Sequence, residues 1–141
     1  MRDMTFEETK AFLLSGTRTG KLATVRDDGR PHVVPVWFTL RDDHLVFNTH
    51  SSSVKAENMR RDPRVAVTVD DQAPPFSFVT IEGVATLTDT DPELLEIATD
   101  IGGRYMGADR AGEYGARNGV PGELVVRVSM DKVISAIDVA H

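Results

Sequence analysis

Apolar residues recur at helical spacing near the start of the sequence, and from Lys21 onward they alternate with polar ones. The first pattern covers residues 6–14, where Thr5 offers a hydroxyl cap and Gly16 a terminator, so it predicts one short helix. The second pattern is typical of β-strands. The change of period therefore predicts a mainly β domain that begins with a helix.

The alternating region predicts consecutive antiparallel strands. Residues 22–40 form two strands around an Asp-Asp-Gly turn at 27–29, and RDDH at 41–44 makes the turn into a strand at 45–49. Pro31 and Pro35 lack the N–H that a ladder bond needs. The second strand should therefore lie at a sheet edge or carry a bulge.

The rest of the sequence adds strands and short helices. Further strands are predicted at 64–70, 76–89 and 123–138. Short helices are predicted at 51–62, ending before Pro63, and at 91–105, with Asp91 as cap, whereas 107–122 has the composition of a loop. Six antiparallel strands with a few short helices predict a small β-barrel, which would occupy 1–141 as one domain.

Charge and composition exclude several functions. The net charge of −6 argues against a broad nucleic-acid surface, and without cysteine there is no thiolate chemistry. The four histidines lack metal-ligand spacing, and no stretch has the length of a membrane span. We therefore expect a cytoplasmic protein with no metal, no nucleic-acid partner and no membrane partner.

The stretch VFNTHSSSVKAENMRRDPRV, at 46–65, carries the clearest candidate chemistry. Three serines precede a predicted helix, and Lys55 falls in its first turn, where the helix dipole disfavours a cation. A bound anion would remove that penalty. From the residues alone, an anion site and a merely well-capped helix both remain open.

Other motifs are less specific. Trp37, the only tryptophan, lies on a proline-rich strand, where core packing is the commoner role and a cofactor wall the alternative. The run GGRYMGADRAG lacks the order of a dinucleotide-binding loop, and neither a nucleophile elbow nor a Ser-His-Asp pattern is present.

Four segments together carry a family resemblance: TGKLATV (19–25), GRPHVVPVWF (29–38), VFNTHSSSVKAEN (46–58) and DPRV (62–65). They resemble the pyridoxamine-phosphate-oxidase-like split β-barrels, and more narrowly the actinobacterial branch that uses the deazaflavin coenzyme F420. The resemblance runs over about residues 5–135. It implies a six-stranded split barrel and a homodimer with two cofactor grooves between the subunits.

The match to the flavin-using oxidases of this family is incomplete. Thr49, Ser53 and Lys55 stand where those enzymes bind the flavin phosphate. Three cations of the same clamp are replaced, and their positions hold Val33, Phe38 and Val54. The resemblance therefore favours F420, whose phosphodiester and polyglutamate tail spread its charge, with FMN as the alternative.

Carried over by position, the resemblance implies three groups of cofactor contacts. The backbone at Pro35–Trp37 would face the ring. The hydroxyls of Thr49, Ser51 and Ser53 would bind the phosphate together with Lys55, and Arg60 and Arg61 would bind the tail. The strand at 76–80 would contact the cofactor of the partner subunit. The implied cofactor-binding residues are Pro35, Val36, Trp37, Asn48, Thr49, His50, Ser51, Ser53, Lys55, Arg60, Arg61, Ser77 and Phe78.

The resemblance implies an oxidoreductase that passes a hydride from reduced F420 to an enone, a quinone or a linear tetrapyrrole. No catalytic acid is singled out among Tyr105, Tyr114, His50 and bulk water. Two alternatives stay open: an FMN-dependent enzyme, and a non-catalytic split barrel that stores the cofactor or holds haem.

Overall fold

The computed structural model describes residues 1–140, which form eight strands, four α-helices and one short 3-10 turn. The strands are β1 Gly20–Val25, β2 Pro31–Val36, β3 Thr39–Arg41, β4 His44–His50, β5 Arg64–Asp70, β6 Phe78–Thr88, β7 Glu123–Ser129 and β8 Lys132–Ala136. The α-helices are α1 Phe6–Leu14, α2 Val54–Arg61, α3 Leu94–Met106 and α4 Ala111–Asn118. Within residues 1–140, no helix is long and apolar enough to cross a membrane.

All strand pairs are antiparallel, and the sheet runs β2-β1-β5-β6-β7-β4-β3, with β8 also paired to β6. β2 pairs with β1 alone, so the edge position expected from Pro31 and Pro35 is confirmed. The β3–β4 turn has positive φ at both Asp42 and Asp43, as a two-residue hairpin turn requires. The result is the predicted curled antiparallel barrel.

Two predicted strands are each divided in the structure, which gives eight strands instead of six. The chain leaves the ladder at Trp37 and Phe38, between β2 and β3. It bends again between β7 and β8, which lie end to end along one side of β6. Gly83 on β6 faces this second bend, and a Cβ there would overlap the carbonyl oxygen of Ser129. The bend therefore requires glycine opposite it.

The core has two layers. The larger cluster fills the barrel and includes Leu22, Phe38, Phe47 and Ile81, each at most 1% exposed. A smaller cluster lies outside β4 and β7, where α3 packs on them through side chains such as Ile97. β4 and β7 are thus covered on both faces, and α3 fixes the position of the strand ends that border the cleft described below.

The region predicted as a loop at 107–122 is mostly helical, and that prediction was wrong. Ala108–Arg110 forms a 3-10 turn and α4 follows, packed closely on α3. At their crossing, a Cβ on Gly115 would overlap the hydroxyl of Thr99. The glycines that suggested a loop serve here to let two helices approach each other.

α3 begins three residues later than the sequence predicted. Asp91 does not cap the helix directly. Its carboxylate instead accepts a hydrogen bond from the Glu93 backbone N–H at 2.9 Å and forms an ion pair with Arg127 at 2.7 Å. The Arg127 guanidinium is the main cause of the lowered pKa of Asp91. This pair ties the entry of α3 to β7.

Candidate functional site

A cleft of about 450 Å³ opens where the ends of β2, β4 and β7 meet the start of α2 and the α3–α4 pair. It is lined by Pro35, Val36, Trp37, Asn48, Thr49, His50, Ser53, Lys55, Ile101, Asn118 and Glu123. One wall is therefore apolar and proline-rich, whereas the opposite wall carries hydroxyl, amide and charged groups.

The hydroxyl end of the cleft is built on the start of α2. Ser53 caps the helix, since its Oγ accepts from the Ala56 backbone N–H at 3.2 Å. The same Oγ lies 3.0 Å from Thr49 Oγ1, which comes from the end of β4. Strand and helix are thus joined through two hydroxyls at the cleft, and the predicted cap is confirmed.

His50 is held by the turn that leads into α2. The Ser52 backbone N–H donates to His50 Nδ1 at 3.1 Å, and the Ser52 hydroxyl lies 2.7 Å from the same nitrogen. A backbone N–H can only donate, so Nδ1 is an acceptor and the proton of a neutral ring is on Nε2. His50 therefore presents an N–H donor on the side of the ring away from Ser52.

Lys55 is the second residue of α2 and lines the cleft half-buried. Among residues 1–140, its ammonium makes no hydrogen bond and no ion pair. Burial lowers the pKa of Lys55, and the negative charge of Glu123 opposes that shift only in part. The cation is thus partly desolvated and placed at the positive end of a helix, both of which an anion would compensate.

Asn48 connects β4 with the two elements across the cleft. Its side-chain amide donates to Glu123 Oε1 at 2.7 Å and to the Asn118 carbonyl at 3.2 Å. Glu123 begins β7 and pairs in register with His50, so both side chains lie on the same face of the sheet. The floor of the cleft is therefore a bonded set of amide and carboxylate groups.

The opposite wall is stiffened by aromatic stacking. Trp37 stacks on Tyr105 with ring centroids 5.1 Å apart and planes 4° from parallel, and Tyr114 lies 6.2 Å away, tilted by 57°. Trp37 falls where the chain leaves the ladder after β2. Trp37 thus packs on the α3–α4 pair and also lines the cleft, and its role as a cofactor wall stays a prediction.

Behind this wall, Arg104 of α3 holds three chain segments together. Its guanidinium donates to the carbonyls of Leu13 at 2.6 Å, Phe38 at 2.8 Å and Gly16 at 3.0 Å. It also lies over the ring of Tyr105, 4.9 Å from the centroid. Burial lowers the pKa of Arg104, yet its donors are used. No local sequence pattern predicts this contact.

Eight of the residues expected to bind a cofactor lie together in the cleft: Pro35, Val36, Trp37, Asn48, Thr49, His50, Ser53 and Lys55. Ser51, Arg60 and Arg61 are not among its lining residues. Arg60 donates to the Ser51 carbonyl at 2.8 Å, and Arg61 to the Val25 carbonyl at 3.0 Å. Both arginines thus contribute to holding α2 in place within the subunit.

Ser77 and Phe78 are not among the residues that line the cleft. Ser77 is buried, and its hydroxyl accepts from the Asp138 backbone at 3.2 Å. Phe78 lies with Lys21 and Thr80 on the outer face of β1, β5 and β6. Their role at a cofactor stays a prediction, and it requires a second subunit.

Three lining residues were missed by the sequence reasoning: Ile101, Asn118 and Glu123. Asn118 lies within the segment that was predicted as a loop and Glu123 follows it directly, so nothing placed them near β4. The strand pairing of Glu123 with His50 gave no local signal, because it joins residues 73 positions apart along the chain.

Residues 5–135 match the family model described as pyridoxamine 5'-phosphate oxidase, which is more than nine-tenths of the chain. The chain belongs to the pyridoxamine 5'-phosphate oxidase family. This family has the split-barrel fold described above, and the resemblance drawn from the four sequence segments is thereby confirmed.

Solved structures of similar proteins show the same fold. A conserved hypothetical protein from Mycobacterium tuberculosis is 30% identical, with a TM-score of 0.82, over 96% of this chain and 86% of that chain. An F420 reductase is 25% identical, with a TM-score of 0.67, over 86% of this chain and 93% of its own. A haem storage protein from Vibrio cholerae is 22% identical, with a TM-score of 0.72, over 95% and 94%, and shows the fold alone.

Proposed function

We propose that this protein is an oxidoreductase that binds reduced F420 in the cleft and reduces an electrophilic organic compound. The observation that carries the proposal is Lys55, a half-buried cation without a partner among residues 1–140, placed beside the hydroxyls of Thr49 and Ser53. A solved relative named as an F420 reductase supports the choice of cofactor. The family supports a flavin-type cofactor more generally.

The residues of the cleft fit such a group. Ser53, Thr49 and Lys55 would hold the phosphodiester, since hydroxyls and an ammonium are suitable donors to an anion. Pro35 and Trp37 would lie against the planar ring at the apolar wall. Arg60, exposed on α2, would meet the glutamate tail outside the cleft.

When bound, reduced F420 supplies a hydride, and the protein supplies binding, orientation and a hydrogen bond to the acceptor. Of the three side chains considered as proton donors, His50 alone lines the cleft. Tyr105 is engaged instead, with its hydroxyl donating to the Arg18 carbonyl at 2.8 Å, and burial raises its pKa. His50 Nε2–H is therefore the hydrogen-bond donor that we assign to the bound acceptor, and the proton itself comes from bulk water, because a neutral imidazole N–H is too weak an acid to release one. The acceptor class we propose is an enone, a quinone or a linear tetrapyrrole.

The proposal includes a homodimer with the cofactor groove at the subunit interface. Phe76 is a large apolar side chain, 43% exposed beside Phe78 on the outer face of β1, β5 and β6. A second subunit would cover this face and bring Ser77 and Phe78 to a partner's cleft. Light scattering at micromolar concentration should give twice the chain mass, and a monomer would exclude the shared groove.

The experiment that tests the function is a fluorescence titration of the apo-protein with F420 and with FMN, followed by turnover of reduced F420 with a panel of acceptors. We expect F420 to bind more tightly than FMN and to be oxidised faster with protein present than without it. Tighter binding of FMN would replace F420 by the flavin. Binding of F420 with no turnover of any acceptor would indicate a carrier.

A further inference from the structure

The cleft contains a carboxylate opposite its unpartnered cation. Glu123 lines the same cleft as Lys55, and neither forms an ion pair within residues 1–140. A site that only had to attract phosphate would not place a negative charge on its wall.

Apart from its partial compensation of the buried Lys55 charge, the Glu123 side chain has one contact that holds structure. Its structural contact is one hydrogen bond, which Oε1 accepts from the Asn48 amide at 2.7 Å. A neutral glutamine has an oxygen at the same position and could accept that bond as well. What glutamate adds over glutamine is therefore a negative charge directed into the cleft.

We propose that Glu123 is a specificity-determining residue that biases the cleft against phosphate dianions and in favour of a phosphodiester monoanion. The inference rests on the proposed function in one respect, that the cofactor phosphate lies at Ser53 and Lys55. It adds to the proposed function the residue that rejects FMN, the commoner analogue of F420. FMN ends in a phosphomonoester, whereas F420 carries a phosphodiester.

The physical basis is that Coulomb repulsion grows in proportion to the charge of the ligand. A dianion therefore meets twice the repulsion of a monoanion at the same place. The factor by which the dianion loses affinity is the square of the factor for the monoanion. Lys55 attracts the dianion twice as strongly as the monoanion for the same reason, so Glu123 offsets a preference for the dianion that the lysine alone would give. A ligand with the same ring system but no phosphate should not be affected by Glu123 at all.

The test compares Glu123→Gln with the unchanged protein, using FMN, riboflavin and F420 at pH 7 and 150 mM salt. The matched control is Glu7→Gln, which removes the same charge from an exposed site on α1. For Glu123→Gln we expect affinity to rise roughly tenfold for FMN, about threefold for F420 and not at all for riboflavin. Glu7→Gln should leave all three unchanged, because surface charges at a distance are screened.

Several results would overturn the proposal: an equal gain for FMN and riboflavin, a loss of FMN affinity, or no measurable FMN binding by Glu123→Gln. The comparison of FMN with riboflavin does not depend on F420. If F420 fails to bind either form, the proposed function is wrong, and the charge test is still decided by the flavins. If F420 binds but the gains do not follow ligand charge, only the role of Glu123 is wrong.

Discussion

Two half-buried cations, Arg104 and Lys55, lie on either side of the cleft and have opposite surroundings. Arg104 donates to three backbone carbonyls and stacks over an aromatic ring, whereas Lys55 has no partner among residues 1–140. Burial lowers the pKa of both groups. The same desolvation is thus compensated by hydrogen bonds inside the protein at Arg104, whereas at Lys55 the charge of Glu123 compensates it only in part and a bound anion would supply the rest.

The largest expected effect is on stability at the Arg104 region. Arg104→Ala removes three charge-assisted hydrogen bonds and leaves three carbonyls short of a donor, so we expect a loss of about 3 kcal/mol and a melting temperature roughly 10 °C lower. Arg30→Ala is the control, since its ion pair with Asp28 is exposed and worth well under about 1 kcal/mol. Equal melting of the two variants would contradict the structural role.

The second effect is on binding at Lys55. Lys55→Ala should weaken F420 binding roughly ten- to a hundredfold, for a contact of ~1.5–3 kcal/mol, while the apo-protein melts at the same temperature or slightly higher. Lys132→Ala, an exposed cation paired with Glu82, should change neither quantity. If Lys55→Ala binds F420 normally and melts lower, the serines and lysine are helix capping alone.

A third effect is the pH dependence of the same contact. The pKa of Lys55 is lowered in the folded apo-protein, so its charge is lost at a lower pH than in the unfolded chain. F420 affinity should fall as pH rises through that lowered pKa, and the folding penalty of the charged form should disappear as pH rises from the folded pKa to the unfolded one. Lys55→Ala, titrated in parallel, corrects for ionisation of the coenzyme, and an identical slope in both proteins would argue against the contact.

The smallest effect is expected at the arginines of α2. Arg60→Ala should weaken binding only about two- to threefold, less in high salt and less with a shorter glutamate tail, because the contact is exposed. Arg61→Ala should in addition lower the melting temperature, since Arg61 bonds the Val25 carbonyl and Asn58. A salt-independent loss at Arg60 would place it inside the cleft.

Local patterns were sufficient for most of the fold. The alternation at 64–70, the Asp-Asp turn before β4 and the prolines of β2 each predict the structure at their own positions, because turn chemistry and ladder bonding act over a few residues. The helical segment at 111–118 was missed, since glycine lowers helix propensity and its packing reason lies in another helix.

The residues of the candidate site could likewise be predicted only in part. Residues 51–55 were singled out because a run of serines and a lysine at a helix start is visible in the sequence, whereas 35–37 and 48–50 came from the family resemblance. Glu123 and Arg104 were found by neither route, because each acts through partners that the fold brings from distant positions. The difference in surroundings between Arg104 and Lys55 also depends on the tertiary structure, so no short stretch of the sequence predicts it.

The crossing of α3 and α4 has a consequence for how mutational data on this protein should be interpreted. Gly115 leaves no room even for a methyl group against Thr99, so alanine, which normally favours helices, should be rejected there as firmly as a large side chain. In a survey of all substitutions, Gly115 would rank with ligand-binding positions although it lies outside the cleft lining. Intolerance to substitution alone would therefore not identify the cleft in this protein. A position that accepts glycine but rejects alanine is constrained by packing, as Gly115 is, and not by ligand binding.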